Sequence, residues 1–309
     1  MRTLPLTVLL LAAAILPATA QLVVEVVVDR DQFLRNESLP VKVRVTNRSG
    51  QPLRLGADNE WLSFAVEGHD TGTVTKTAEV PVKGEFTLES SQVATRLVDL
   101  SPCYDLSQPG RYTITATVRI KEWNDETTSR PRRIEIVRGT KLWEQEFGVP
   151  TESGFPETRR FMLQQANYQK QLKLYLRVAD LSDNKVFRVF PLGSLVSFSQ
   201  PEALLDRSSE LNTLFQTGAR SFLFYVIRPD GEIAIRQTYD YTATRPTLRS
   251  NDEGRIYISG GVRRLTPNDI PTSIPVSAAV TPVPNPGTNA PTNNSATEQP
   301  KKNGKAPKK

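Results

Sequence analysis

The chain has 309 residues, with 39 Lys and Arg against 33 Asp and Glu, one His and one Cys. A single Cys excludes an intramolecular disulfide framework, so stability has to come from apolar cores. From Pro282 onward, five lysines against Glu298 put +4 of the net +6 in the tail; Arg2 adds one, which leaves +1 for residues 21–281 and gives no support to a nucleic-acid-binding face.

The N-terminus reads as an export signal. Arg2 forms a short positive region, Leu4 to Leu16 an apolar run, and Ala18-Thr19-Ala20 a small-residue cleavage site between Ala20 and Gln21. No Cys follows that site, which argues against a lipid anchor; an uncleaved N-terminal anchor is the alternative reading. No later run is apolar enough to suggest a transmembrane segment after cleavage.

Residues 21–138 read as an antiparallel β-sandwich. Val41, Val43 and Val45 alternate with Lys42, Arg44 and Thr46, and Tyr112, Ile114, Ala116, Val118 and Ile120 alternate with polar neighbours. Leu22–Val28, Leu62–Val66, Val74–Val82, Val93–Val98 and Ile134–Val137 are further candidate strands, separated by turn clusters such as Asn47-Arg48-Ser49-Gly50. Residues 139–158 read as a connector, punctuated by Gly139, Gly148 and Pro150. It holds Leu142, Trp143, Phe147 and Phe155, so it is expected to pack rather than swing.

Residues 159–265 read as a second β-domain. Leu172–Val178 and Val186–Phe190 flank Asp183-Asn184, a hairpin signal. Phe222–Ile227 is apolar on both faces and predicts a central strand, joined to Ile233–Tyr239 through Arg228-Pro229-Asp230-Gly231. Residues 266–309, rich in Pro, Thr, Asn and Lys, are expected to be disordered. The basic tail suits an anionic envelope surface; a solvated tail without a partner is the other reading.

Two stretches resemble known families. Leu106-Ser107-Gln108-Pro109-Gly110-Arg111-Tyr112-Thr113-Ile114 is similar to the corner that opens a late strand in bacterial immunoglobulin-like domains, including macroglobulin-type and proteinase-inhibitor-like sandwiches. The resemblance implies that Tyr112 enters the core while its hydroxyl ties back the preceding loop. It implies fold rather than activity, and the Cys pair and core Trp of antibody domains are absent. In the second half, Ser209-Glu210-Leu211-Asn212 and the Pro-Asp-Gly turn are similar to secreted β-propeller repeats, with strands about 45 residues apart. The repeats are too few for a closed propeller, so a meander or small sandwich is expected.

Catalytic constellations are sparse. His69 and Cys103 share the first domain, and a dyad between them needs an alignment that no motif signals; a loop His and a packed Cys beside Tyr104 is the favoured reading. Two such residues cannot build a zinc site. Asp180, Asp183, Asp206, Asp230 and Asp240 are the carboxylates available for glycan hydrolysis, which needs a pair about 5–9.5 Å apart. Most sit beside turns, where Asp is favoured anyway.

Binding is easier to accommodate. Trp123, at the end of an alternating strand, and the pair Tyr239 and Tyr241 are candidate ligand contacts. Trp123 folded over a sheet edge is the competing reading. The sequence therefore points to an all-β, exported, non-catalytic interaction or structural protein with no cofactor and an envelope protein or glycan as partner. A glycan-processing enzyme using second-domain carboxylates and a proteinase-inhibitor-like sandwich are the rivals.

Overall fold

The computed structural model describes residues 22–70, 72–150 and 154–271. The expected signal peptide, with Ala20 and Gln21, lies outside them, as does the tail from residue 272. The described chain is all-β, with one 3-10 turn, Lys121–Trp123, and no α-helix among the described residues.

The first half holds β1 (Leu22–Val27), β2 (Gln32–Leu34), β3 (Pro40–Asn47), β4 (Leu53–Leu55), β5 (Leu62–Gly68), β6 (Phe86–Leu88), β7 (Val93–Asp99), β8 (Gly110–Ile120), β9 (Asp125–Thr128) and β10 (Arg132–Val137). One sheet runs β1-β3-β7; the other runs β2-β10-β8-β5, with β9 also on β8, and β4 pairs β6. Every pairing here is antiparallel except that of β2 with β10. The two sheets share one core. Val41, Val43 and Val45 of β3 are buried, as are Tyr112, Ile114, Ala116, Val118 and Ile120 of β8. The alternation legible in these strands is thus the alternation between core and solvent. Tyr112 enters that core, and its hydroxyl donates to the Gln108 carbonyl at 2.5 Å.

Val74–Val82 does not form the expected strand. Only Lys76 makes an isolated bridge, to Tyr104. Val80 and Val82 are buried, but Pro81 between them has no N–H to give a ladder. The segment instead seals the core edge, where the Val82 carbonyl accepts from Trp61 Nε1 at 2.9 Å.

The second half holds β11 (Thr140–Val149), β12 (Glu157–Tyr168), β13 (Gln171–Asp180), β14 (Val186–Ser194), β15 (Glu202–Leu205), β16 (Leu211–Gln216), β17 (Ser221–Ile227), β18 (Ile233–Asp240), β19 (Thr247–Ser250), β20 (Ile256–Ser259) and β21 (Val262–Arg264). A four-stranded sheet runs β11-β12-β13-β14 and a five-stranded one β15-β16-β17-β18-β21. They pack through Phe147, Phe161, Leu176, Phe215, Tyr225 and Ile227, among others. The β19–β20 hairpin covers the opposite face of the second sheet, where Leu248 joins Leu214, Phe222, Phe224 and Val226. β17 is therefore central and covered on both sides, as its double-faced apolar run predicts. The turn before β18 closes with Gly231 N–H donating to the Arg228 carbonyl at 2.8 Å, and Gly231 takes φ +85° there.

Two boundaries differ from the sequence reading. Residues 140–149 of the expected connector are a full edge strand, β11, and only Arg138 and Gly139 separate it from β10. Of the stretch expected to be disordered from residue 266, residues 266–271 are held in place. Ile270 bridges Arg236, and Asp269 is buried with its Oδ1 accepting from Thr266 Oγ1 at 2.7 Å. A buried carboxylate needs partners, and Thr266 is its nearest source of one.

Burial pushes four tyrosine hydroxyls above their ordinary range: Tyr104, Tyr225, Tyr239 and Tyr175, the last to about 12. The folded chain keeps protons that the unfolded chain releases near pH 10, so this stabilisation is present below pH 10 and is lost as the pH rises toward the folded values. Alkaline titration at 295 nm is expected to show four tyrosines that ionise only together with loss of near-UV circular dichroism. Complete tyrosinate formation with the tertiary signal intact would contradict this burial.

Candidate functional site

The two sandwiches meet where β2 and its following loop lie on the outer face of β12-β13-β14. Leu34 and Val137 of the first sandwich pack against Ala166, Tyr175, Val186 and Val189 of the second. Around this small apolar contact stands a charged frame. Arg177 of β13 is only 3% exposed. Its Nε donates to Asp183 Oδ1 at 3.0 Å, and its Nη1 donates to the Arg35 carbonyl and to Asn36 Oδ1, both at 3.3 Å. Arg35 Nη2 reaches the other oxygen of Asp183 at 2.5 Å. Burial pushes the Arg177 guanidinium down, and the Asp183 charge opposes that.

Local geometry places both partners. Asn36 and Asp183 each take a positive φ, +61° and +60°, at the tips of tight turns; Asn and Asp tolerate that region better than most residues. Beside them the buried Glu37 carboxylate pairs with Arg30 and accepts the Leu34 N–H at 2.7 Å. Burial nevertheless raises Glu37, with Arg30 and Lys173 pulling it back.

Three cavities border this joint or the open face beside it. A groove of about 790 Å³ runs between the first sandwich and the outer side of β14, lined by Asn36, Ser38, Asp99, Ser101 and Pro102 on one wall and residues 184–190 on the other. β14 ends its sheet, so no strand pairs with this side. Lys185 Nζ lies 4.7 Å from the Phe187 ring centroid, and the Arg159 guanidinium lies 4.0 Å from it. Arg188 pairs with Glu232 at 2.6 Å. Where β14 pairs β13, the register shifts beside Val186, and Pro191 stands at the other end of the stretch.

A second groove, of about 760 Å³, lies over the open face of β2-β10-β8. Gln32, Glu135 and Arg111 form one cross-strand row there. Gln32 donates to Glu135 at 3.2 Å, and Arg111 makes a two-point contact with Asp70 at 2.8 and 3.0 Å. A smaller cavity of about 260 Å³ sits against the Arg177–Asp183 pair, walled by the Ser107–Pro109 loop, Arg35, Arg138 and Gln164.

The residues singled out from sequence do not converge. His69 lines the open-face groove, and its Nε2 shares a hydrogen bond with Thr113 Oγ1 at 2.5 Å. Cys103 is 3% exposed inside the first core, with its Sγ 3.6 Å from the Glu79 carbonyl, and burial pushes its thiol up. A raised thiol is a weak nucleophile. Asp180, Asp206 and Asp230 accept hydrogen bonds from backbone N–H groups of their own turns. Asp240 pairs with Arg264 at 2.9 Å. Among the described residues, no group of three or more His, Cys, Asp and Glu is placed to hold a metal ion.

Trp123 is half-buried against the first core, in the 3-10 turn. Tyr239 packs edge-on to Phe224 at 6.4 Å and donates to Gln237 at 3.0 Å, whereas Tyr241 lies beyond the end of β18 and is 40% exposed. Arg35, Asn36 and Arg177, which frame the joint, carried no sequence signal. Arg35 and Arg177 are 142 residues apart, and only the folded chain brings them together.

Fold and site together define a protein of two packed β-sandwiches with grooves at and beside their joint. No family model and no curated protein matches the chain. Among solved structures, the crystal structure of the YadV chaperone is similar over 78% of this chain and 100% of that chain, at 12% identity and a TM-score of 0.22. No helix among the described residues is long and apolar enough to cross a membrane.

Proposed function

We propose that this chain is an exported, non-catalytic interaction protein that holds a short extended segment of an envelope protein along the free side of β14. The observation that carries the reading is an unpaired strand edge bordering a groove of about 790 Å³. An edge strand offers unpaired backbone N–H and C=O groups, and an extended peptide can add to it as a further strand. The bulge near Val186 and Pro191 interrupt that edge at both ends, which favours a short guest over open-ended self-association. Lys185, which makes no ion pair among the described residues, offers a cation on the β14 wall to an acidic side chain of the guest, with Asp99 on the facing wall.

Export rests on Arg2, the Leu4–Leu16 run and Ala18-Thr19-Ala20. The non-catalytic reading is supported by the engagement of His69, Cys103 and the second-domain aspartates elsewhere. We assign the first sandwich to the bacterial immunoglobulin-like kind, on the Tyr112–Gln108 tie and the parallel pairing of β2 with β10.

The test uses synthetic acidic peptides of alternating Glu and Val and the mature chain. Binding is expected in fluorescence anisotropy. N-methylation of one alternate set of peptide amides should abolish it, and methylation of the other set should leave it unchanged. Lys185→Glu should weaken it about tenfold, equivalent to about 1.4 kcal/mol. Equal sensitivity to both methylation sets, or a glycan-array signal without peptide binding, would remove the strand-addition reading.

A further inference from the structure

We propose that the cavity of about 260 Å³ at the joint binds a small oxyanion, a phosphate group being the best fit. Three arginines line it, Arg35, Arg138 and Arg177, against one acidic residue, Asp183. Arg35 and Arg177 both spend their charge on that one carboxylate. Arg138 is exposed and forms no ion pair among the described residues. The lining residues therefore carry an excess of two positive charges, and Arg177 is 3% exposed, where water screens little of its charge. Lys173 and Arg30 add to the positive surroundings of the joint, with Glu37 as their counter-charge.

Neutral polar residues stand beside the arginines. Gln164 and Ser107 line the same cavity. The Ser107–Pro109 wall is held by the Tyr112 hydroxyl on the Gln108 carbonyl, so it is positioned before any ligand arrives. Guanidinium groups suit oxyanions because their planar N–H forks match two oxygens at once. A divalent anion would balance the charge excess and draw the two sandwiches together. This site is separate from the β14 groove, and its test stands or falls independently of peptide binding.

The probes are inorganic phosphate and phosphoethanolamine, the latter standing for a phosphoryl group carried on a larger molecule. Each is titrated by calorimetry and thermal unfolding against chloride of equal ionic strength. A saturable rise in Tm of about 5 °C or more is expected at concentrations well above Kd. Arg138→Gln should weaken binding about tenfold, whereas Arg133→Gln, on the open sheet face, should leave it unchanged. Saturation by phosphate alone assigns the site to the free ion, and saturation by both assigns it to the phosphoryl group in either setting. A rise that does not saturate, or one that Arg138→Gln leaves intact, overturns the site, because general salt exclusion acts on any surface.

Discussion

Asp183→Asn is expected to cost about 3 kcal/mol, and to lower Tm by about 6–12 °C. The reason lies with Arg177 rather than with Asp183 itself. The Arg177 guanidinium is 3% exposed and hydrogen-bonded to Asp183 Oδ1 at 3.0 Å. Neutralising the aspartate leaves the buried cation with neutral acceptors alone, the Arg35 carbonyl and Asn36 Oδ1 among them, and a buried charge without its counter-charge is among the costlier defects a fold can carry. Asp183 is itself 29% exposed, which keeps the expected loss at the lower end of the range for buried pairs. Combining Asp183→Asn with Arg177→Met should recover about 2 kcal/mol relative to the sum of the single changes, since the double variant has no orphaned charge at that position. Chemical denaturation of the four proteins in the cycle measures this directly. Losses that add within about 0.5 kcal/mol would mean that the two residues are not coupled.

The second large effect belongs to β11. Phe147 is buried and stacked on Phe161, with ring centroids 4.2 Å apart and planes 18° from parallel. Phe147→Ala is expected to cost about 3–4 kcal/mol, the range for emptying a buried aromatic site. A loss below about 1 kcal/mol, as for a side chain on a loosely packed connector, would show that β11 is not part of the second core.

That contrast between connector and strand marks where sequence reasoning stopped. β3 and β8 were legible because their burial alternates with period two, and β17 because its run is apolar on both faces. β11 was not. A register shift between Lys141 and Trp143 puts Leu142 and Trp143 both against the core, which breaks the alternation that identifies a strand. β12 was hidden differently. Phe161 and Leu163 face the second core, but Met162, Gln164 and Ala166 face the first sandwich, so its polar residues are covered rather than exposed. The short strands β2, β4, β6 and β9 span three or four residues each, too few to display a period.

The candidate site was the least legible part. Asp183 was visible as a turn residue and as one of several carboxylates, but its two arginine partners are 148 and 6 residues away. Trp123 and Tyr239, the aromatics singled out for binding, pack against the cores at their own ends of the molecule. The groove beside β14 depends on which strand ends the sheet, and nothing in Val186–Phe190 declares that.

The sequence by itself determined the β character of the chain, the inward faces of its regular strands and the Pro-Asp-Gly turn, while the Tyr112 corner was implied by resemblance to immunoglobulin-like domains. The strand faces and the turn follow from side-chain alternation and backbone preference, which act within a few residues. Only the tertiary structure decided which sheet faces meet, that an arginine is buried at their joint, and which strand edge stays open. Such outcomes depend on pairings between residues more than a hundred positions apart, and local chemistry allows many of those before the cores select one.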